Sequence, residues 1–212
     1  MKVSIEQTNS KKTTRKLVVK AASKLFREQG IKAVRMDDIA KDLSMSKRTL
    51  YELFSDKEEL LLECIMAHLR TKDRQLEKKI SSSENILEVL LYSMKQVLEE
   101  LRGVSIVFYR DMCLYEGVAK LVQERREERY KRFVEAFETG VSQGVFRKEI
   151  NFSILQLLID TQLHMLFETN KWQQFSLSEM YKTIILVSVR GVCTLEGQRM
   201  MDDYLQNKWK DL

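Results

Sequence analysis

The chain has 212 residues, 44% of them apolar and 32% charged, with seven Gly and no Pro, where average usage of about 5% would give roughly ten prolines. That speaks against collagen-like, Pro-rich and Gly-rich linker classes and against a turn-dense sandwich or barrel, and it points to an all-α fold with a sizeable core. The net charge of +5 is unevenly placed, because residues 1–54 hold 13 Lys/Arg against 6 Asp/Glu while residues 55–212 hold 23 against 25. A basic end on a near-neutral body suggests an acidic partner, nucleic acid first and an anionic membrane surface second, with a solvated basic face as the plain alternative. No apolar leader follows Met1 and no apolar run nears the ~20 residues of a membrane span. Cys64, Cys113 and Cys193 are odd in number and lack C-x-x-C spacing, so reduced cysteines in a cytoplasmic protein are expected.

In chain order, residues 13–29 carry Leu17, Ala21 and Leu25 beside Val18, Ala22 and Phe26, the spacing of an amphipathic helix that Gly30 stops. Met36, Ile39, Ala40 and Leu43 imply a two-turn helix. Ser46 is a good N-cap for a third over 46–53, with Leu50 and Phe54 facing inward. Ser55 or Asp56 caps a fourth that runs to about residue 79, with Glu58 and Glu59 in its first turn. Further helices are expected over 86–101 with an end near Gly103, over 104–114, and from Val118 to about Ser142, ended by Gly140 and Gly144. Asn151 caps a helix over 152–168, another covers 179–195, and a last amphipathic stretch covers 198–209. Helices 152–168 and 179–195 are apolar on nearly all sides, so they belong at the centre of a bundle or against a second copy of the chain.

Two short helices joined by a tight turn, the second polar and basic at its start, form the pattern of a helix-turn-helix DNA reader. A helix fits the major groove, its first turn meets base edges, and nearby cations hold phosphates. The string Gly30-Ile31-Lys32-Ala33-Val34-Arg35-Met36-Asp37-Asp38-Ile39-Ala40, followed by Met45-Ser46-Lys47-Arg48-Thr49-Leu50-Tyr51-Glu52-Leu53-Phe54-Ser55-Asp56-Lys57-Glu58-Glu59-Leu60, closely resembles the DNA-binding head of the tetracycline-repressor (TetR) family over roughly residues 13–62. The resemblance implies a fold of about nine to ten helices, with a helix-turn-helix DNA-binding domain over 1–56 and a ligand-binding and dimerisation domain over 57–212. It implies a homodimer built on helices 152–168 and 179–195, a palindromic double-stranded DNA operator, and release of a repressor by a small-molecule effector. Carried over by position, Ser46, Lys47, Arg48 and Thr49 face the groove and Tyr51 and Lys57 face phosphate. Thr14 and Arg15 are added as phosphate contacts, with Lys11 and Lys12 as either contacts or a solvated tail. Arg48 is the leading base reader, since its fork pairs with guanine O6 and N7.

Two positions depart from the family pattern. Arg35 replaces the usual Ser or Thr N-cap, which is expected to exchange a cap for a DNA-binding contact to phosphate, and Ser44 stands where the turn usually has Gly, so either a left-handed backbone there strains Ser or the turn differs slightly. In the body, Tyr92, Met94, Tyr109, Arg110, Met112, Gln162 and Met165 are candidate pocket residues, core filling being the plainer account of the methionines. Asp160, His164 and Glu168 share a helix face, as do Cys64 and His68, but a polar stripe explains them without a metal. With only two His, no G-x-S-x-G and no phosphate-binding glycine loop, no enzyme and no cofactor are expected. The competing reading is a non-enzymatic helical adaptor or a protein that binds an anionic surface.

Overall fold

The computed structural model describes residues 2–102, 106–112, 114–168 and 175–209. It consists of ten helices: α1 (Lys2–Gln29), α2 (Met36–Asp42), α3 (Lys47–Leu53), α4 (Lys57–Ser82), α5 (Ile86–Arg102), α6 (Ile106–Met112), α7 (Glu116–Ser142), α8 (Phe152–Glu168), α9 (Leu177–Val192) and α10 (Leu195–Lys208). Among the described residues there is no strand, only an isolated antiparallel bridge between Phe146 and Cys193. Gly103, Cys113 and the side chain of Arg110 lie outside the described residues.

The helices gather into two compact units, Met1–Asp73 with Gly103–Gln123, and Arg74–Arg102 with Glu124–Leu212. The first is built on a core of Val18, Ala22, Phe26, Ile31, Ile39, Leu50, Phe54, Leu60 and Leu61, all fully buried, with Phe108, Met112 and Tyr115 packed against it. Each large apolar side chain withdrawn from water there contributes about 1.5–3 kcal/mol. Val18, Ala22, Phe26, Ile39, Leu50 and Phe54 are among the residues whose 3–4 spacing marked α1 to α3, whereas Leu17, on the neighbouring stripe of α1, is 56% exposed.

The second unit packs α5 against α9 and α10, and α8 against α9. At its centre the Phe137 ring lies 4.5 Å from Phe133, 4.5 Å from Phe146 and 4.9 Å from Phe152. Gly140 makes this approach possible, because a Cβ there would lie 2.2 Å from the Phe146 ring. Gly140 therefore sits inside α7 and does not end it; the stop is Gly144, at φ 72°.

Three boundaries differ from expectation. α1 begins at Lys2, so the polar stretch before residue 13 continues the helix; its charges did not signal this because it has no apolar face to show. α9 ends at Val192, and α10 starts at Leu195. Cys193 is drawn into extended backbone, φ −70° and ψ 145°, where Arg147 N–H donates to Val192 O at 3.0 Å and Thr194 N–H donates to Val145 O at 2.9 Å. Thr194 then caps α10, its hydroxyl accepting from Gly197 N–H at 3.1 Å.

Candidate nucleic-acid interface

The α2–α3 segment is shaped by its ends. Arg35 is the α2 N-cap residue, extended at φ −101° and ψ 158°, and its N–H donates to Asp38 Oδ2 at 2.8 Å. A guanidinium has no acceptor to offer the first turn, so Asp37 and Asp38 there supply the compensating negative charge. The Arg35 side chain remains exposed. At the other end Ser44 has φ 50°, Met45 N–H donates to Ala40 O at 2.9 Å, and Ser44 N–H donates to Lys41 O at 3.0 Å. This pair of bonds closes a helix on a left-handed residue, the place glycine normally takes.

Ser46 then starts α3, its hydroxyl accepting from Thr49 N–H at 3.0 Å and lying 2.8 Å from the Thr49 hydroxyl. Leu50 and Leu53 are buried from α3 and Phe54 from the position after it, so the helix is anchored by one face. Lys47, Arg48, Thr49 and Tyr51 are exposed on the rest. Lys47 Nζ lies 2.9 Å from Asp37 Oδ1, and this hydrogen-bonded carboxylate raises the Lys47 pKa. Arg48 Nε donates to Glu52 Oε1 at 3.0 Å.

Around α3 stand the remaining candidates. Lys57, at the start of α4, has Nζ 3.5 Å from Lys32 O and 6.0 Å from the Phe26 ring centroid; partial burial lowers its pKa. Thr14 donates to Ser10 O at 2.9 Å. Arg15 is turned inward: it donates to Leu53 O, meets Glu59 Oε1 at 3.3 Å and lies 4.1 Å above the Phe54 ring. Its guanidinium therefore fastens α1 to the α3–α4 corner.

Sequence reading overlooked Asp111 and read Glu58 and Glu59 only as first-turn acids of α4, whereas all three carboxylates tie this unit together. Asp111 of α6, only 5% exposed, accepts from Lys32 N–H at 2.9 Å. Glu58 of α4 accepts from Gly117 N–H at 2.9 Å. Glu59 accepts from Ser55 N–H at 2.6 Å, and that backbone bond, ahead of Arg15, holds its carboxyl below the usual range. Asp111 and Lys32 are 79 residues apart, beyond any local signal, whereas Asp56 and Glu59, the third residue of α4, form a legible cap, Glu59 N–H donating to Asp56 Oδ1 at 2.8 Å.

The pocket candidates with described side chains are divided between the two units. Tyr109 and Met112 belong to the first unit, and Tyr92, Met94, Gln162 and Met165 to the second; Met94 is packed in the core, while Gln162 and Met165 are exposed. They were chosen for their chemistry on separate helices, and helix faces set their directions. An open groove of about 470 Å³ in the second unit is lined by Val141, Phe146, Arg147, Lys148, Glu149, Thr194 and Leu195, none of them on that roster. Among the described residues no three His, Cys, Asp or Glu side chains gather as a metal site. Asp160 instead pairs with Arg126 at 3.3 Å and accepts from Gln156 at 2.8 Å, and Cys64 is buried, its thiol donating to Val19 O with a pKa raised to about 11 by desolvation.

Comparison with known proteins bears on this geometry directly. The sequence model of bacterial regulatory proteins of the tetR family matches residues 18–64, the segment that runs from α1 through α3 into α4. The HTH-type transcriptional regulator HbdR of Aromatoleum sp. (strain CIB) is 25% identical over 190 residues, which cover 87% of this chain and 82% of that protein. Residues 18–64 carry the DNA-binding segment of the TetR family. The chain is a DNA-binding transcriptional regulator. A further relative is the HTH-type transcriptional repressor KstR2 of Mycobacterium tuberculosis, 24% identical over 67% of this chain and 74% of its own. Among solved structures, a TetR-family regulator from Agrobacterium tumefaciens aligns at a TM-score of 0.70, with 10% identity over 87% of this chain and all of that one. A regulator from Saccharomonospora viridis, solved with choline, aligns at 0.68 with 18% identity over 93% and 97%. These likenesses show the TetR fold. Among the described residues no helix is long and apolar enough to cross a membrane.

Proposed function

We propose that this regulator is a cytoplasmic, non-enzymatic repressor that binds a palindromic operator as a homodimer and leaves it when a small-molecule effector binds. The observation that carries the reading is the α3 surface. Ser46, Lys47, Arg48 and Thr49 stand exposed in the first turn of a helix whose opposite face is pinned by Leu50 and Phe54, which is how a recognition helix enters a major groove. Tyr51 and Lys57 flank it as phosphate contacts, with Thr14 midway along α1. Arg35, exposed and serving no cap, adds another. Arg15 acts by holding the corner that presents α3.

The dimer is supported by α8 and α9. Ile154, Leu157, Leu158 and Met165 on α8 and Val187 on α9 are large apolar side chains left about half or more exposed, and Ile154, Leu157, Leu158 and Met165 fall at helical spacing on one stripe. A stripe of that kind is suited to a two-fold partner, the same helices of a second copy. Two heads related by such an axis read half-sites about 34–36 Å apart. Repression takes support from the repressor KstR2 among the relatives.

The test is binding of the full chain to DNA flanking its own gene, against random duplex, at two salt concentrations, with wild type and Arg48→Ala. A saturable preference that Arg48→Ala reduces tenfold or more supports the reading. Equal affinity for all duplexes, or binding only to anionic vesicles, overturns it. Leu157→Glu, examined by sedimentation, is expected to shift the protein towards monomer and to weaken operator binding with it.

A further inference from the structure

We propose that Glu52 is a specificity-determining residue of the α3 surface, a carboxylate buttress that fixes Arg48 on guanine and requires an amino-bearing base beside it. The inference rests on the DNA-reading role proposed for α3 and deepens it. Arg48 and Glu52 lie one helical turn apart, joined by Arg48 Nε to Glu52 Oε1 at 3.0 Å, with side chains 89% and 59% exposed. The pair is thus presented to solvent and to whatever enters alongside the helix.

The bond is made by Nε, which leaves both Nη groups of the guanidinium without a protein partner among the described residues. Their outer edge is the planar fork that matches guanine O6 and N7. A guanidinium held through Nε has fewer orientations to lose when it docks, and the bond strengthens as the groove excludes water. The neighbouring cation is arranged otherwise: Lys47 turns back onto Asp37 of α2, so its charge is anchored to the scaffold and not to a residue on the reading helix.

Glu52 also has a second oxygen, Oε2, with no protein partner among the described residues. An ionised carboxylate only accepts hydrogen bonds. In the major groove the donors it can find are the cytosine N4 and adenine N6 amino groups, whereas guanine O6 and N7, thymine O4 and phosphate oxygens repel it. The Arg48–Glu52 pair therefore rewards guanine next to a base that carries an amino group. Being neutral as a pair, it gives little affinity for the phosphate backbone of an unrelated sequence.

Selection of duplexes from a random pool by the full-length protein tests this, with wild type, Glu52→Gln, Glu52→Ala and Arg48→Ala compared after thermal melting shows each to be folded. Wild type is expected to select a half-site with guanine beside cytosine or adenine, and Arg48→Ala to lose the guanine. Glu52→Gln keeps an acceptor for Arg48 and gains a donor, so guanine is retained while the neighbouring base relaxes. Glu52→Ala is expected to lose roughly five- to tenfold of discrimination for guanine and to bind random DNA several-fold more tightly. If both Glu52 variants select the wild-type site with undiminished discrimination, Glu52 is a solvated surface charge and the inference fails while the DNA-reading role stands. A wild-type protein that enriches no sequence overturns both.

Discussion

Ser44 holds a left-handed backbone at φ 50°, a conformation that costs an L-residue about 1–2 kcal/mol and glycine little. Ser44→Gly should therefore stabilise the protein by about 0.5 kcal/mol after the extra freedom of glycine in the unfolded chain is allowed for, read as a Tm about 1–2 °C higher; a lower Tm would show that the turn is not strained. Arg35 is the complementary case. Arg35→Thr restores an N-cap hydroxyl worth about 1 kcal/mol and removes a cation, so the expected variant is more stable and binds DNA more weakly with a shallower salt slope. Equal binding with an unchanged slope would remove Arg35 from the phosphate contacts. Both positions were legible in the sequence because capping and turn closure depend on a few adjacent residues, as Ser46 and its bond to Thr49 N–H also show. Arg15 was not: spacing placed it at the basic end of α1, and only packing reveals its guanidinium above Phe54.

At the scale of elements, apolar periodicity and cap residues together placed the helices, though not the first eleven residues of α1, but the ties between helices are invisible to both. Asp111 joins α6 to the turn after α1 through Lys32 N–H, and its charge favours the ammonium of Lys57 against burial. Asp111→Ala leaves that N–H without its acceptor and is expected to cost about 1–3 kcal/mol, while Asp111→Asn keeps an acceptor and should cost less than half as much, both measured as urea midpoints. Equal losses would mean that the charge alone matters. In α7, Gly140→Ala forces a methyl into the Phe146 ring, an overpacking expected to cost about 1–3 kcal/mol. Its place inside the helix escaped sequence reading because a glycine near a helix end looks like a stop, and only the stacked rings of Phe137 and Phe146, 4.5 Å apart, show that it marks a close approach.

For the molecule as a whole, acid should loosen the head before the alkaline limb affects it. Glu59 has its pKa lowered in the folded state, chiefly by Ser55 N–H and then by Arg15. Its stabilising contribution is thus present above the unfolded value near 4.3 and is lost as pH falls through the lower folded value. Glu59→Gln should flatten the acid side of a Tm profile below about pH 5, without effect on its shape above pH 6; an unchanged acid side would assign the loss to other carboxylates. The apolar excess of α8 and α9 was also legible in sequence, since helices with no polar side need cover on more than one face. Which side chains of the body share a cavity was not, because residue type does not specify which way a helix turns it.

The bond between Asp111 and Lys32, together with that between Glu58 and Gly117, bears on how such regulators can be recombined. A chimera that grafts residues 1–56 onto another body would carry the reading helix intact but leave behind α6 and the start of α7, whose Phe108, Met112 and Tyr115 cover the same apolar core. The transplantable module is the discontinuous one, residues 1–73 with 103–123, and a graft has to bring the carboxylate at 111 along with the helix that reads.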